Sequence, residues 1–254
     1  MNLDIVKYLI ENGANINVQN NNGETALFKG MEYSFSSETA KYLIENGTNV
    51  NKINKNGDSP LINACKNCGW GSYYIHLLIK NGADINIKDS LGNTPLHIIT
   101  SINCEEIEYL IENGGNINVQ NNNGEAPLFQ ACKYGIATAV YDLVYYGADA
   151  NLADINGNTP LLIACGFKYL MRCGNSKLII YLIKNGANIN KANNNGETPL
   201  FRICRYGNEN ILNYFIEHGA NINVINNEGY TPLNIAHKYN NELMIQCLVE
   251  RGAK

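Results

Sequence analysis

One glycine spacing constrains this chain more than any other feature. Glycines fall at 13, 47, 82, 114, 147, 186, 219 and 252, separated by 34, 35, 32, 33, 39, 33 and 33 residues. Twelve positions after each of the first seven stands the residue that opens a new segment: Thr25, Ser59, Thr94, Ala126, Thr159, Thr198 and Thr231. The 12-residue interval never varies, so all the length variation lies between the opening residue and the next glycine. A self-similar period of this length marks a chain built from stacked supersecondary units. The constant connector abuts its neighbours and tolerates no insertion, whereas the variable one faces away as free surface loops do.

The unit itself reads as two helices and a turn. All six prolines, from Pro60 to Pro232, directly follow an opening residue. A hydroxyl N-cap followed by proline at the first helical position is a strong helix start, because proline lacks the N–H that would go unsatisfied there. Ala26 replaces the proline in the first copy, and Ala126 removes the capping hydroxyl in the fourth. About two turns follow, as in Pro199-Leu200-Phe201-Arg202-Ile203-Cys204-Arg205, ended by Tyr-Gly or a polar turn. A second helix then runs to the glycine. It carries apolar residues seven positions before it (Val6, Ala40, Ile75, Ile107, Val140, Ile179, Leu212, Ile245) and four before it (Leu9, Leu43, Leu78, Leu110, Leu143, Leu182, Phe215, Leu248). That is a helical stripe. The closing glycine suits a left-handed C′ residue. Asparagine stands four residues beyond it each time, at 17, 51, 86, 118, 151, 190 and 223, before an Asn/Asp-to-Gly segment that fits a type I turn.

Composition narrows the function classes. Charged residues are 17% of the chain and the formal net charge is −4, which argues against a phosphate-tracking nucleic-acid surface built of clustered Lys and Arg. Asparagine is the excess residue, at roughly one position in six, and its side chain suits turns. No stretch approaches the roughly 20 apolar residues of a membrane span. The first residues are in helical pattern with no basic secretory leader, and an intracellular, cytoplasmic location is expected. Of eight cysteines, four (Cys65, Cys132, Cys165, Cys204) share one repeat position. They read as small buried core residues in a reducing compartment rather than as a disulfide framework.

A helix pair plus a projecting turn at this period, with Gly92-Asn93-Thr94-Pro95-Leu96-His97 and the Leu-Ile-x-x-Gly-Ala-x-Ile-Asn phrase at Leu78 to Asn86, resembles the ankyrin repeat. The resemblance covers essentially the whole chain. It implies an all-α repeat solenoid of antiparallel helix pairs with β-hairpin-like fingers. The expected layout is one array over 1–254, with a partial repeat at 1–19 and repeats beginning near 20, 54, 89, 121, 154, 193 and 226. It departs from the family pattern in that His follows Pro-Leu only at His97, with Phe28, Phe129 and Phe201 elsewhere; these phenylalanines are expected to pack in the same groove. Ile5 and Leu9 at one end and Leu248 and Val249 at the other resemble interior repeats, so a piece of a longer array, or ends that stack on something else, is expected.

Bond-making chemistry finds little support. His76, His97, His218 and His237 occupy three different repeat positions and align with no Ser or Cys nucleophile. Cys65-Lys66-Asn67-Cys68 is a CxxC, with Cys165 and Cys173 as conceivable further ligands, but a zinc ribbon needs a second close pair; no metal, cofactor or catalytic residue is expected. The functional candidates lie late in the first helix, where a cation precedes an aromatic: Lys133-Tyr134, Arg205-Tyr206 and Lys238-Tyr239, with Lys66 and Phe167 at equivalent places. In the ankyrin family this lip and the finger tips commonly contact partners, and Tyr and Arg dominate interface hot spots. An acidic or amide line runs beside it: Glu24, Asp58, Asn93, Glu125, Asn158, Glu197 and Tyr230. Mixed charge favours a polypeptide partner over nucleic acid. Trp70, in Cys68-Gly69-Trp70-Gly71, and an apolar insertion at 167–174 break the period, each as a candidate contact loop or a tolerated expansion. The expected function is a non-catalytic protein-interaction scaffold. The alternatives are the targeting part of a larger enzyme or ubiquitin-ligase adaptor, and an array that associates end to end with itself.

Overall fold

A computed structural model describes residues 2–32, 37–102, 104–166, 176–206 and 209–254. Among these residues every regular element is a helix. They fall into two compact units, 1–122 and 123–254. In the first lie α1 (Leu3–Glu11), α2 (Ala26–Gly30), α3 (Ser37–Glu45), α4 (Pro60–Lys66), α5 (Cys68–Lys80), α6 (Pro95–Ser101) and α7 (Ile107–Glu112). The second holds α8 (Pro127–Tyr134), α9 (Ala137–Tyr145), α10 (Pro160–Ala164), α11 (Ser176–Lys184), α12 (Pro199–Tyr206), α13 (Glu209–Glu217), α14 (Pro232–Lys238) and α15 (Glu242–Glu250). The insertion expected at 167–174, with Phe167, lies outside the described residues.

Within each unit the first helices pack on first helices (α2 on α4 on α6; α8 on α10 on α12 on α14) and each also packs on the second helix of its own repeat. The starts are as the sequence implies. Ser59 Oγ accepts from the Ile62 N–H at 3.2 Å and Thr159 Oγ1 from Leu162 at 3.2 Å, each ahead of a proline at N1. In two repeats the third helical residue answers back: His97 Nδ1 accepts from the Thr94 N–H at 3.1 Å, and Asn234 Oδ1 from the Thr231 N–H at 2.8 Å. Phe28, Phe129 and Phe201 at that same register are buried. The stripe four residues before each closing glycine is buried throughout, apart from Leu9. Leu9, on α1, which packs against α3, is half exposed.

Two glycine positions carry different demands. The closing glycines, such as Gly186, sit at positive φ with open space where a Cβ would go. The finger glycines do more. Gly23 and Gly124 combine φ of +76° and +73° with a neighbouring repeat's backbone N–H only 2.8 Å from a would-be Cβ. Fingers are stitched there by backbone hydrogen bonds, Lys55 N–H to Asn22 O (2.9 Å) in the first unit and Asn194 N–H to Asn156 O (2.9 Å) in the second. The hairpin-like fingers hold no strand among the described residues; each is a tight turn closed by one Asn or Asp. Asp154 Oδ1, for example, accepts from the Asn156 and Asn158 N–H groups at 2.9 and 2.7 Å.

The asparagine four residues past each closing glycine does something turn chemistry does not explain. Its Oδ1 accepts the backbone N–H two residues past the next closing glycine: Asn51 from Asp84 (2.7 Å), Asn86 from Asn116 (2.8 Å), Asn151 from Asn188 (2.8 Å) and Asn190 from Asn221 (2.8 Å). Its Nδ2 donates to that next glycine's carbonyl, Gly82 and Gly114 at 3.0 Å and Gly186 and Gly219 at 2.8 Å. A side chain that both donates and accepts is required, and of the short side chains asparagine supplies both from one planar group. It is a clamp between repeats.

The segment Cys68-Gly69-Trp70-Gly71 is not a loop. It forms the first turn of α5, one residue after α4 ends. Gly71 is buried there, and a Cβ would stand 2.1 Å from the Ala64 carbonyl oxygen. The irregularity that marked Trp70 as a loop candidate is therefore a lengthened second helix crowded against α4. The Trp70 side chain lies outside the described residues.

Candidate interaction surface

The candidate site is built where the first helix ends beside the finger of its own repeat. In the first unit Lys66 Nζ lies 2.6 Å from Asp58 Oδ1, and Lys29 Nζ lies 3.1 Å from Glu24 and also pairs with Glu32. In the second unit Lys133 Nζ lies 2.8 Å from Glu125 Oε1, while Gln130 donates to the other oxygen of that carboxylate. Glu197 receives Arg202 at 3.0 Å and Arg205 at 3.8 Å. The cation row and the acidic row expected to lie side by side are thus partners of each other. Eight residues separate Asp58 from Lys66, Glu125 from Lys133 and Glu197 from Arg205, enough to span the end of the finger and two helical turns.

Burial makes the pairing matter. The Asp58 and Glu125 side chains are only 8% exposed, while Lys66 and Lys133 are about 40% exposed. A carboxylate withdrawn from water needs a cation or several donors. The hydrogen bond that Lys133 donates to Glu125 pushes the pKa of its ammonium above the ordinary value, against the opposing effect of burial. Hydrogen bonding from Asn20 holds Glu24 below the usual carboxylate range, with Lys29 adding to it and burial opposing.

Where the finger residue is an amide, the helix end has no cation. Asn93 is matched with Ser101 and Asn158 with Gly166 at the eight-residue distance, and the amides bond to finger side chains instead, Asn121 Nδ2 to Asn93 Oδ1 at 2.8 Å and Asn193 Nδ2 to Asn158 Oδ1 at 2.9 Å. Where the finger residue is Tyr230, Lys238 Nζ sits over its ring, 4.8 Å from the centroid. Acid with cation, amide without, aromatic with cation–π: the two positions vary together in six of the seven repeats, the exception being Glu24, matched at that distance by Glu32 and paired with Lys29 instead. That signal was in the sequence, whereas Lys29 and Arg202, which pair with Glu24 and Glu197 from only five residues on, lie outside both that spacing and the cation–aromatic dipeptides.

The aromatic half of each dipeptide behaves differently. Tyr134 is 54% exposed and Tyr239 is 42% exposed. Tyr206 and Tyr239 stand with ring centroids 6.2 Å apart, and the Arg205 guanidinium lies 4.6 Å from the Tyr239 ring and 5.7 Å from that of Tyr206. Arg205, Tyr206 and Tyr239 therefore form one cluster in the second unit, with Glu197 behind Arg205, and Lys238, next in sequence to Tyr239, lies over Tyr230. Stacking of cations on rings holds such residues in place at a cost of about 0.5–1 kcal/mol to disrupt at exposed sites.

The periodic cysteines contribute no chemistry here. Cys65, Cys132, Cys165 and Cys204 are fully buried, and burial pushes all four thiols up, Cys204 to about 12. Cys68 and Cys104, by contrast, are joined in a disulfide, Cα to Cα 6.1 Å, a pairing that the sequence reading of a disulfide-free chain did not contain.

Helix pairs joined by glycine-closed, asparagine-clamped turns define an all-α repeat protein. Comparison with protein families agrees: the model described as ankyrin repeats (3 copies) matches residues 1–89, 70–154 and 167–254. The chain belongs to the ankyrin repeat family, whose members are generally protein–protein interaction modules and typically non-catalytic. No curated protein matches it. Among the described residues no helix is long and apolar enough to cross a membrane.

Proposed function

We propose that this chain is a non-catalytic scaffold that binds a polypeptide through the lip formed by first-helix ends and finger turns. The observation that carries the reading is the division of labour at the lip. Its cations are already held by finger carboxylates or rings, while Tyr134 and Tyr239 present exposed aromatic faces beside them. Tyrosine gives large amphipathic contact area at low entropic cost, and a pre-paired neighbouring charge gives orientation without a large ordering penalty. Lys133 and Arg205 then act mainly by fixing the lip against Glu125 and Glu197, as Lys66 does against Asp58 and Lys238 over the Tyr230 ring. The partner is a polypeptide of mixed charge, because a surface with its own ion pairs has no net field to attract nucleic acid.

The test replaces the tyrosines alone, since removing Lys133 or Arg205 would strand carboxylates in the lip and confuse folding with binding. Tyr134→Ala, Tyr206→Ala and Tyr239→Ala together are expected to weaken binding of a partner peptide at least ~10-fold, the loss of one hot-spot residue or more, with helical circular dichroism unchanged. Binding that survives all three changes removes the lip as the site.

A further inference from the structure

The geometry points to a binding site for a soft divalent cation of the zinc class at Cys68, Cys104 and Glu106, formed when the Cys68–Cys104 disulfide is reduced. The three residues converge from two neighbouring repeats: Cys68 opens α5, while Cys104 and Glu106 lie in the connection from α6 to α7. One ligand atom from each lies within 4.8 Å of the others. Both sulfurs approach the same carboxylate oxygen, Cys104 Sγ at 2.8 Å and Cys68 Sγ at 3.3 Å from Glu106 Oε2.

Glu106 supplies an independent reason. It is only 9% exposed, and a carboxylate so withdrawn requires a donor or a cation. The contacts of its carboxylate among the described residues are these two sulfurs, and in the disulfide neither bears a proton. Reduction provides two S–H donors; a metal provides the charge itself. Two thiolates and one carboxylate match the ligand preference of zinc-like ions rather than of magnesium or calcium. Cys68 sits at the first helical position of the 13-residue α5. A cavity of about 720 Å³ adjoins all three residues and is also lined by Lys66, Ser72 and Ile102, leaving room for water as a fourth ligand. The sulfurs would have to part to admit an ion with metal–sulfur bonds of about 2.3 Å. Disulfide and metal are therefore alternative occupants of one place. Reduction of the disulfide takes up two electrons and two protons, and metal binding releases the two thiol protons.

The test uses the full chain reduced with a phosphine, freed of reductant under anaerobic conditions and titrated with Co²⁺ alone as a spectroscopic substitute for zinc. One equivalent is expected to bind with a sulfur-to-cobalt charge-transfer band, displaced by Zn²⁺ and absent from the oxidised protein. Cys68→Ser and Cys104→Ser should each abolish the band. Glu106→Gln should keep the fold by circular dichroism and weaken binding at least ~10-fold, in the range expected for disturbing a metal's ligand environment. A reduced chain without the band, a band retained in Cys68→Ser, or Glu106→Gln binding as tightly as the unaltered protein would overturn the assignment.

Discussion

Asparagine shows most clearly how one residue type is divided among tasks. At Asn188 the side chain only has to accept, from the Asn190 N–H at 2.9 Å, and Asp84 and Asp149 fill the same register in other repeats. At Asn190 it must accept from Asn221 and donate to the Gly219 carbonyl. Asn188→Asp is therefore expected to shift stability by less than about 0.5 kcal/mol, the range of ordinary surface changes. Asn190→Asp loses a donor and turns a charge toward a carbonyl oxygen, and should cost about 1–2 kcal/mol. Urea denaturation of the two variants checks the contrast; equal midpoints would mean that the clamp contributes nothing. The sequence alone displayed the invariance of Asn190 but not this reason, because its partners lie one repeat away and reach it only once the stacking register exists.

Elements were legible where the determinants are local. The proline after six of the seven opening residues and the glycine closing each second helix located most helix boundaries, and the period-matched cysteines proved to be core. Legibility failed at Cys68-Gly69-Trp70-Gly71, where a break in the period suggested a contact loop and the structure has the first turn of α5. Tertiary packing overrides the low helix propensity of Gly69 and Gly71, and the two glycines are not equivalent. Gly69 faces open space, whereas a Cβ on Gly71 would collide with the Ala64 carbonyl. Gly69→Ala is expected to be neutral or to stabilise α5 by up to about 1 kcal/mol. Gly71→Ala should force α4 and α5 apart at a cost of about 1–3 kcal/mol, as other overpacked sites do. Thermal unfolding of both variants decides this, and a Gly71→Ala protein as stable as the unaltered one would contradict the packing. The Cys68–Cys104 pair escaped for a related reason: Cys65 lies three residues from Cys68 and drew attention as a CxxC, while the actual partner is 36 residues on in the next repeat.

At the scale of the whole molecule, the repeat fixes the geometry and the lip carries the variation. The fold follows from a spacing, and a spacing is visible in one sequence. The candidate surface was visible only in outline, since Lys133 and Glu125 announce charge without announcing that they neutralise each other. That pairing moves the weight of the functional claim from the cations to the tyrosines. Site-specific photocrosslinking tests it most directly, with a photoreactive aromatic residue placed in turn at Tyr134, Tyr239 and Tyr145. Tyr145 ends α9, a second helix, and at 79% exposed it is freer than either lip residue. Exposure alone would therefore favour it. The account predicts that one polypeptide is captured from positions 134 and 239 and not from 145; capture from 145 with none from the lip would contradict it.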